Sequence, residues 1–176
     1  VTVLAVSDLD GDARPELVAA LGPWRAYDIR VFRPTAEGTL RQVARRKLGI
    51  PLAVATLGTP HGPRIAVLIG HKEASPLTMP PDRPHGITPG IHLLRLDGDT
   101  LTLERSLPLA RGNDDLRPER LLVADVDGDG LDDLVVAGSS AVRASTRARS
   151  LATIEIARQG ADGSFRRVQI ADLELI

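Results

Sequence analysis

The sequence has no cysteine, which rules out a disulfide framework and any thiolate metal site. Aromatic residues make up 2% of the chain against 43% hydrophobic residues in all, so its core must come from Val, Leu, Ile and Ala. An exposed Trp or Tyr would therefore be informative. Lysine occurs only at Lys47 and Lys72, leaving positive charge almost wholly to arginine. An excess of one sign is also missing: the formal net charge is −1, which argues against a nucleic-acid partner or an anionic membrane surface. No window approaches the roughly 18 uninterrupted apolar residues of a membrane span, and no basic segment leads into an apolar stretch at the N-terminus. The expectation is a soluble domain without membrane insertion, any export signal lying outside it. The 176 residues suffice for one substantial core.

What is present is a repeat. The segment LAVSDLDGDARPELVAALG from Leu4 aligns without a gap on LAVATLGTPHGPRIAVLIG from Leu52, and a third copy, LLVADVDGDGLDDLVVAG, starts at Leu121. Each copy reads as an apolar strand, a tight polar loop and a second apolar strand, both strands being apolar enough for cover on two faces. Alternating strands follow each copy: IRVF from Ile29 and TLRQVA from Thr39, IHLLRL from Ile91 and LTLERSL from Leu101, TIEIAR from Thr153 and FRRVQI from Phe165. Their turns hold Glu37 and Gly38, then Asp97 to Asp99, then Gly160 and Gly163. Four antiparallel strands per unit describe a propeller blade, and the expected fold is all-β: a three-bladed propeller segment with blades at 1–48, 49–115 and 116–176. A β-sandwich would not predict the same loop chemistry at the same place in each unit.

That chemistry is carboxylate. The loop Asp125 to Asp133 places aspartates at positions 1, 3, 5 and 9, with a main-chain carbonyl at position 7. Oxygen-only donors on a glycine-bearing turn suit Ca²⁺, giving Asp125, Asp127, Asp129, the Leu131 carbonyl and Asp133 as ligands. The first loop offers Asp8, Asp10, Asp12, the Arg14 carbonyl and Glu16 in the same order. An EF-hand fails on spacing, because its position 12 would fall on Ala19 or Val136 inside an apolar strand. Without a metal these are acidic turns, but four carboxylates within nine residues repel one another unless a cation compensates them. The middle loop has Thr56, Gly58, Pro60 and Arg64 at the four positions and is expected to be metal-free. Arg64 in place of the ion is one reading and a plain degenerate turn is the preferred one; His61 reads as a solvated turn residue. Two Ca²⁺ ions are the expected complement.

The patterns D-L-D-G-D-x-x-x-E-L and D-V-D-G-D-x-x-x-D-L resemble the repeats of FG-GAP and VCBS propellers, a repeat type also found in integrin α-subunits. The resemblance covers nearly the whole chain, its specific motif only the two loops. It implies a loop between the first and second strands of a blade, on its lower face, that binds Ca²⁺ through the positions named above. Glu16 departs from the usual Asp at position 9.

The longest insertions fall between the second and third strands: the stretch with Trp24, Arg25 and Tyr27, the stretch from about His71 to Gly90 with His85, and Ser139 to Ser150 with Arg143, Arg147 and Arg149. Blade topology puts these on one face, opposite the metal loops, and Trp, Tyr and Arg are favoured interface anchors. They are the expected partner-binding residues, for a protein or an acidic glycan. Further blades or another chain are expected at the open ends. No elbow serine motif, zincin motif, phosphate loop or cysteine nucleophile is present, so no enzymatic activity is expected. The expected function is a calcium-stabilised binding, adhesion or structural module, extracellular, cell-surface or periplasmic. The alternative is a non-catalytic accessory propeller of a secreted polysaccharide lyase or hydrolase.

Overall fold

A computed structural model describes residues 2–21, 27–70, 88–109, 116–144 and 147–174; at 2, 116–117, 140–144, 147–151 and 169–174 it describes the backbone alone. The described residues form twelve strands and no helix. Strands β1 (Thr2–Ser7), β2 (Glu16–Leu21), β3 (Asp28–Pro34) and β4 (Leu40–Lys47) make one sheet in sequential order. A second holds β5 (Pro51–Leu57), β6 (Arg64–Ile69), β7 (Gly90–Asp97) and β8 (Thr100–Pro108). In the third, β9 (Leu116–Ala124), β10 (Asp133–Ala144), β11 (Arg147–Gln159) and β12 (Phe165–Glu174) follow the same meander. Every pairing is antiparallel, so the fold is all-β with three four-stranded, blade-like sheets.

The hairpins close where the sequence places turn residues. Thr35 N–H donates to Thr39 O at 2.8 Å and Gly38 N–H to Thr35 O at 3.0 Å, with Gly38 at φ 75°. Gly160 and Gly163 repeat this closure in the third sheet, through Gly160 N–H to Ser164 O and Gly163 N–H to Gly160 O, both 2.8 Å. Gly90 opens β7 at φ 150°, and a Cβ there would stand 2.5 Å from the Leu107 carbonyl oxygen, so a side chain is excluded.

The core lies between sheets. One cluster joins Val18, Ile29 and Val31 of the first sheet to Val54, Ile65, Val67 and Leu94 of the second. Another joins Ala66, Leu68, Ile91 and Leu93 of the second to Leu121, Leu134 and Val136 of the third. Period-2 alternation sends odd and even residues of β6 to opposite clusters, and all six of its residues are buried. Each fully buried Val, Leu or Ile contributes roughly 1.5–3 kcal/mol. Cover on both faces, expected of every inner strand, holds for β6 but not for β1 or β9. Leu4 and Val6 are 56% and 62% exposed and Leu122 is 60% exposed, because among the described residues no sheet lies against those faces.

Candidate cation sites

Loops β1–β2 and β9–β10 have the same hydrogen-bond plan. At position 1, Asp8 accepts the N–H of Gly11 (2.7 Å) and of Ala13 (2.9 Å), and Asp125 accepts those of Gly128 (2.7 Å) and Gly130 (2.9 Å). At position 3, Asp10 and Asp127 accept the N–H of position 5, each at 3.3 Å. At position 5, Asp12 and Asp129 accept the N–H of Arg14 and Leu131. At position 9, Glu16 and Asp133 reach back to the N–H of Leu9 (2.9 Å) and Val126 (3.1 Å). Both loops need left-handed backbone at positions 4 and 6: glycine twice in the third sheet at φ 80° and 84°, but Gly11 and Ala13 in the first. Ala13 at φ 64° stores strain of about 1 kcal/mol.

This scaffold brings carboxylates together. Single oxygens of Asp8, Asp10 and Glu16 lie within 4.8 Å of one another, and so do those of Asp125, Asp127 and Asp133. Ca²⁺ binds oxygens at ~2.3–2.6 Å, so ligands across the ion stand about 5 Å apart, and both oxygen-only groups fit it. Position 5 is not in either group: Asp12 and Asp129 stay exposed and tie down the peptides of Arg14 and Leu131. The Gly130 N–H, with the amides of Gly128 and Asp129, holds Asp125 below the usual carboxylate range, so it stays ionised.

A recurrent arginine went unread in the sequence. Leu17, Ile65 and Leu134, which follow loop position 9, pair with Phe32, Leu94 and Ala157, and the next residue is Arg33, Arg95 or Arg158. The signal was Ile-x-aliphatic-apolar-Arg in each third strand: Ile29 to Arg33, Ile91 to Arg95, Ile154 to Arg158. Arg33 donates to Glu16 Oε1 at 2.9 Å and to Asp10, and pairs with Asp99 at 3.4 Å. The hydrogen bond to Glu16 chiefly, then the charges of Asp10, Glu16 and Asp99, raise its pKa above the ordinary arginine value. Arg158 makes one longer pair, to Asp127 at 3.4 Å. The carboxylates are thus partly compensated by protein cations, more fully in the first loop than in the third.

The middle loop is not a plain degenerate turn. Arg64, 7% exposed at position 9, donates through Nη1 to the carbonyls of His61 (3.1 Å), Gly62 (3.2 Å) and Pro63 (3.0 Å) and pairs through Nε with Glu104. Gly62 holds position 7, whose carbonyl would face an ion, so a guanidinium engages the group that a metal would have taken. His61 Nε2 is 3.2 Å from the Asp162 carbonyl oxygen. The middle and third loops are tied together: Gly58 N–H donates to Asp132 Oδ2 at 2.6 Å, and Gln159 Nε2 donates to the carbonyls of Gly58 (3.0 Å) and Asp132 (2.8 Å).

Of the expected partner-binding residues, Trp24, Arg25, His71 and His85 lie outside the described residues. Tyr27 is corrected to a core residue: it is 2% exposed, and its carbonyl accepts the Leu48 N–H at 2.9 Å. Arg143, Arg147 and Arg149 stand on paired backbone and not in a loop, Arg143 opposite Ala148, Arg147 opposite Ala144 and Arg149 opposite Val142. No Pro or Gly interrupts Ser139 to Ala144, so pairing runs on.

Three sheets with one meander, a loop plan shared by two of them and nearest-neighbour cores define a repeat module of the β-propeller type. Residues 118–145, which hold most of β9, the Asp125 to Asp133 loop and β10, match the model of the FG-GAP repeat. No curated protein and no solved structure matches the chain. No helix among the described residues is long and apolar enough to cross a membrane.

Proposed function

We propose that this chain is a calcium-stabilised contact module, holding two ions at the outer sheets and engaging a protein or an acidic glycan, with no catalytic role. The observation that carries the reading is the shared hydrogen-bond plan of two loops that gathers three carboxylates within 4.8 Å at matched places in the first and third sheets. Asp8, Asp10 and Glu16 would hold one ion and Asp125, Asp127 and Asp133 the other, with the Arg14 and Leu131 carbonyls completing the sets. A bound ion would supply charge compensation and loop rigidity. Exposed loop sites suit weak binding, ~10⁻⁴–10⁻³ M, which works where calcium is abundant, so an extracellular, cell-surface or periplasmic setting follows.

The two sites should differ. Arg33 already engages Asp10 and Glu16, and an arriving ion must compete with it, whereas among the described residues Arg158 makes one ion pair, to Asp127 at 3.4 Å. Calorimetric titration of calcium should give two unequal events, and Asp125→Asn with Asp127→Asn should remove the tighter one. At 100 times its Kd, an ion adds about 2.7 kcal/mol of stability, which the double variant should lose in calcium buffer and not in chelator. Three equivalent sites, no binding, or equal destabilisation in both buffers would refute the assignment.

A further inference from the structure

The middle loop has Arg64 where the other loops have their position-9 carboxylate, and beside it a cleft of about 460 Å³ opens between the second and third sheets. Thr59, His61 and Arg64 of the middle loop and β6, Arg95 of β7, Glu104 and Arg105 of β8, and the turn at Asp162 and Gly163 line it. Three arginines face two carboxylates there. Their commitments differ: Arg64 is held by Glu104 and three carbonyls, and Arg95 shares Glu104 at 3.2 Å and Asp97 at 3.4 Å. Arg105 has no ion pair among the described residues, and its hydrogen bond is a long one, 3.3 Å, to the neutral Gly163 carbonyl. Asp162 accepts the Ser164 N–H at 2.9 Å and meets Arg105 only at longer range, through charge. The guanidinium fork of Arg105 is therefore the cation in the cleft without a carboxylate in direct ion-pair contact among the described residues.

A planar carboxylate matches a guanidinium in geometry and charge. The volume is that of a small-molecule site, room for a sugar residue or two. No Val, Leu, Ile, Met, Phe, Tyr or Trp lines it, so a peptide's large apolar side chains would find little to pack against, while ring hydroxyls would meet Asp162, His61 and backbone carbonyls. We infer that this cleft binds the carboxylate of an acidic sugar, with Arg105 as the principal anchor and Arg95 beside it. The site lies at the end of the sheets that carries the cation loops. It deepens the reading of a glycan-contacting module but uses no ligand of either cation site.

Digalacturonate titrated into the full chain, in calcium and again in chelator, tests this. Saturable binding is expected in both buffers, weakened at least tenfold by Arg105→Gln and by ~0.5 M salt, and unchanged by Arg41→Gln at a remote exposed position; the neutral disaccharide should not bind. Arg95→Gln supplies a second variant should R105Q lose its melting transition. Absence of saturation at ~10 mM, or affinity retained in both variants, overturns the proposal. Inorganic sulfate binding as tightly as the uronate would reduce it to a free-anion site, and displacement of the uronate by a short peptide with a free C-terminus would assign it to protein; either overturns the sugar assignment. Failure of calcium binding with uronate binding intact would refute the metal reading alone.

Discussion

His92 is 2% exposed on β7, its Nδ1 2.9 Å from Ser106 Oγ and its Nε2 2.8 Å from the Thr88 carbonyl oxygen. Burial, opposed by the Thr88 hydrogen bond, lowers its pKa below the ordinary 6.5, so the folded chain holds it neutral. Below pH 6.5 the unfolded chain takes up a proton that the fold resists, so stability falls as pH drops through that value and levels off above it. Thermal melts between pH ~7.5 and ~5.5 should show a declining Tm, and His92→Gln should flatten the decline. An unchanged slope in the variant would place the titration elsewhere. Asp125, with its lowered pKa, loses its contribution only on the acid side of the ordinary carboxylate value, so the two windows separate. At this scale the sequence was informative about the loop carboxylates and silent about their company. Positions 1, 3 and 9 were legible because carboxylate spacing is a local property. Arg33 and Arg158 were not, since what makes them neighbours of Asp10 and Asp127 is a strand register set 23 and 31 residues downstream.

Among the elements, the hairpins were the most legible, because turn glycines and period-2 alternation are written within a few residues of each other. What alternation does not say is which face meets another sheet. Strand β6 and its partner β7 serve both cores, while β1 commits only Val3 and Ala5. Leu94→Ala removes a fully buried side chain between the first two sheets and should cost about 2–5 kcal/mol in urea unfolding. Leu4→Ala in the isolated chain should stay within about 0.5 kcal/mol, as expected for a half-exposed surface position. A larger effect at Leu4 than at Leu94 would contradict the placement of the cores. Ser139 to Ser150 misled for the same reason in reverse: Ser, Ala and Arg look like loop composition, yet the continuing register from Ser139 with Ala152 to Ala144 with Arg147 carries them as strand.

For the whole molecule, the apolar faces at either end define a demand. Leu4 and Val6 on β1, and Leu122 on β9, are what a further sheet of the same register would cover, as the middle sheet covers its two neighbours. Three blades fall short of the four to eight that close a propeller, and our proposal is that another chain or a second copy covers these faces. The isolated chain should self-associate in sedimentation at tens of micromolar, and Leu4→Asp with Val6→Asp should shift it toward monomer. A monomer indifferent to that pair would leave the end faces without a role. The tie between the middle and third loops has one more consequence. Because Gly58 N–H ends on Asp132, the residue beside the proposed position-9 ligand, and Gln159 spans both loops, the two sheets cannot loosen separately there. The amide of Gly58 belongs to a loop with no carboxylate of its own at the ligand positions, yet its exchange with solvent deuterium would report whether the neighbouring loop is rigid. The middle blade would in this way serve as a listener to its neighbour's occupancy.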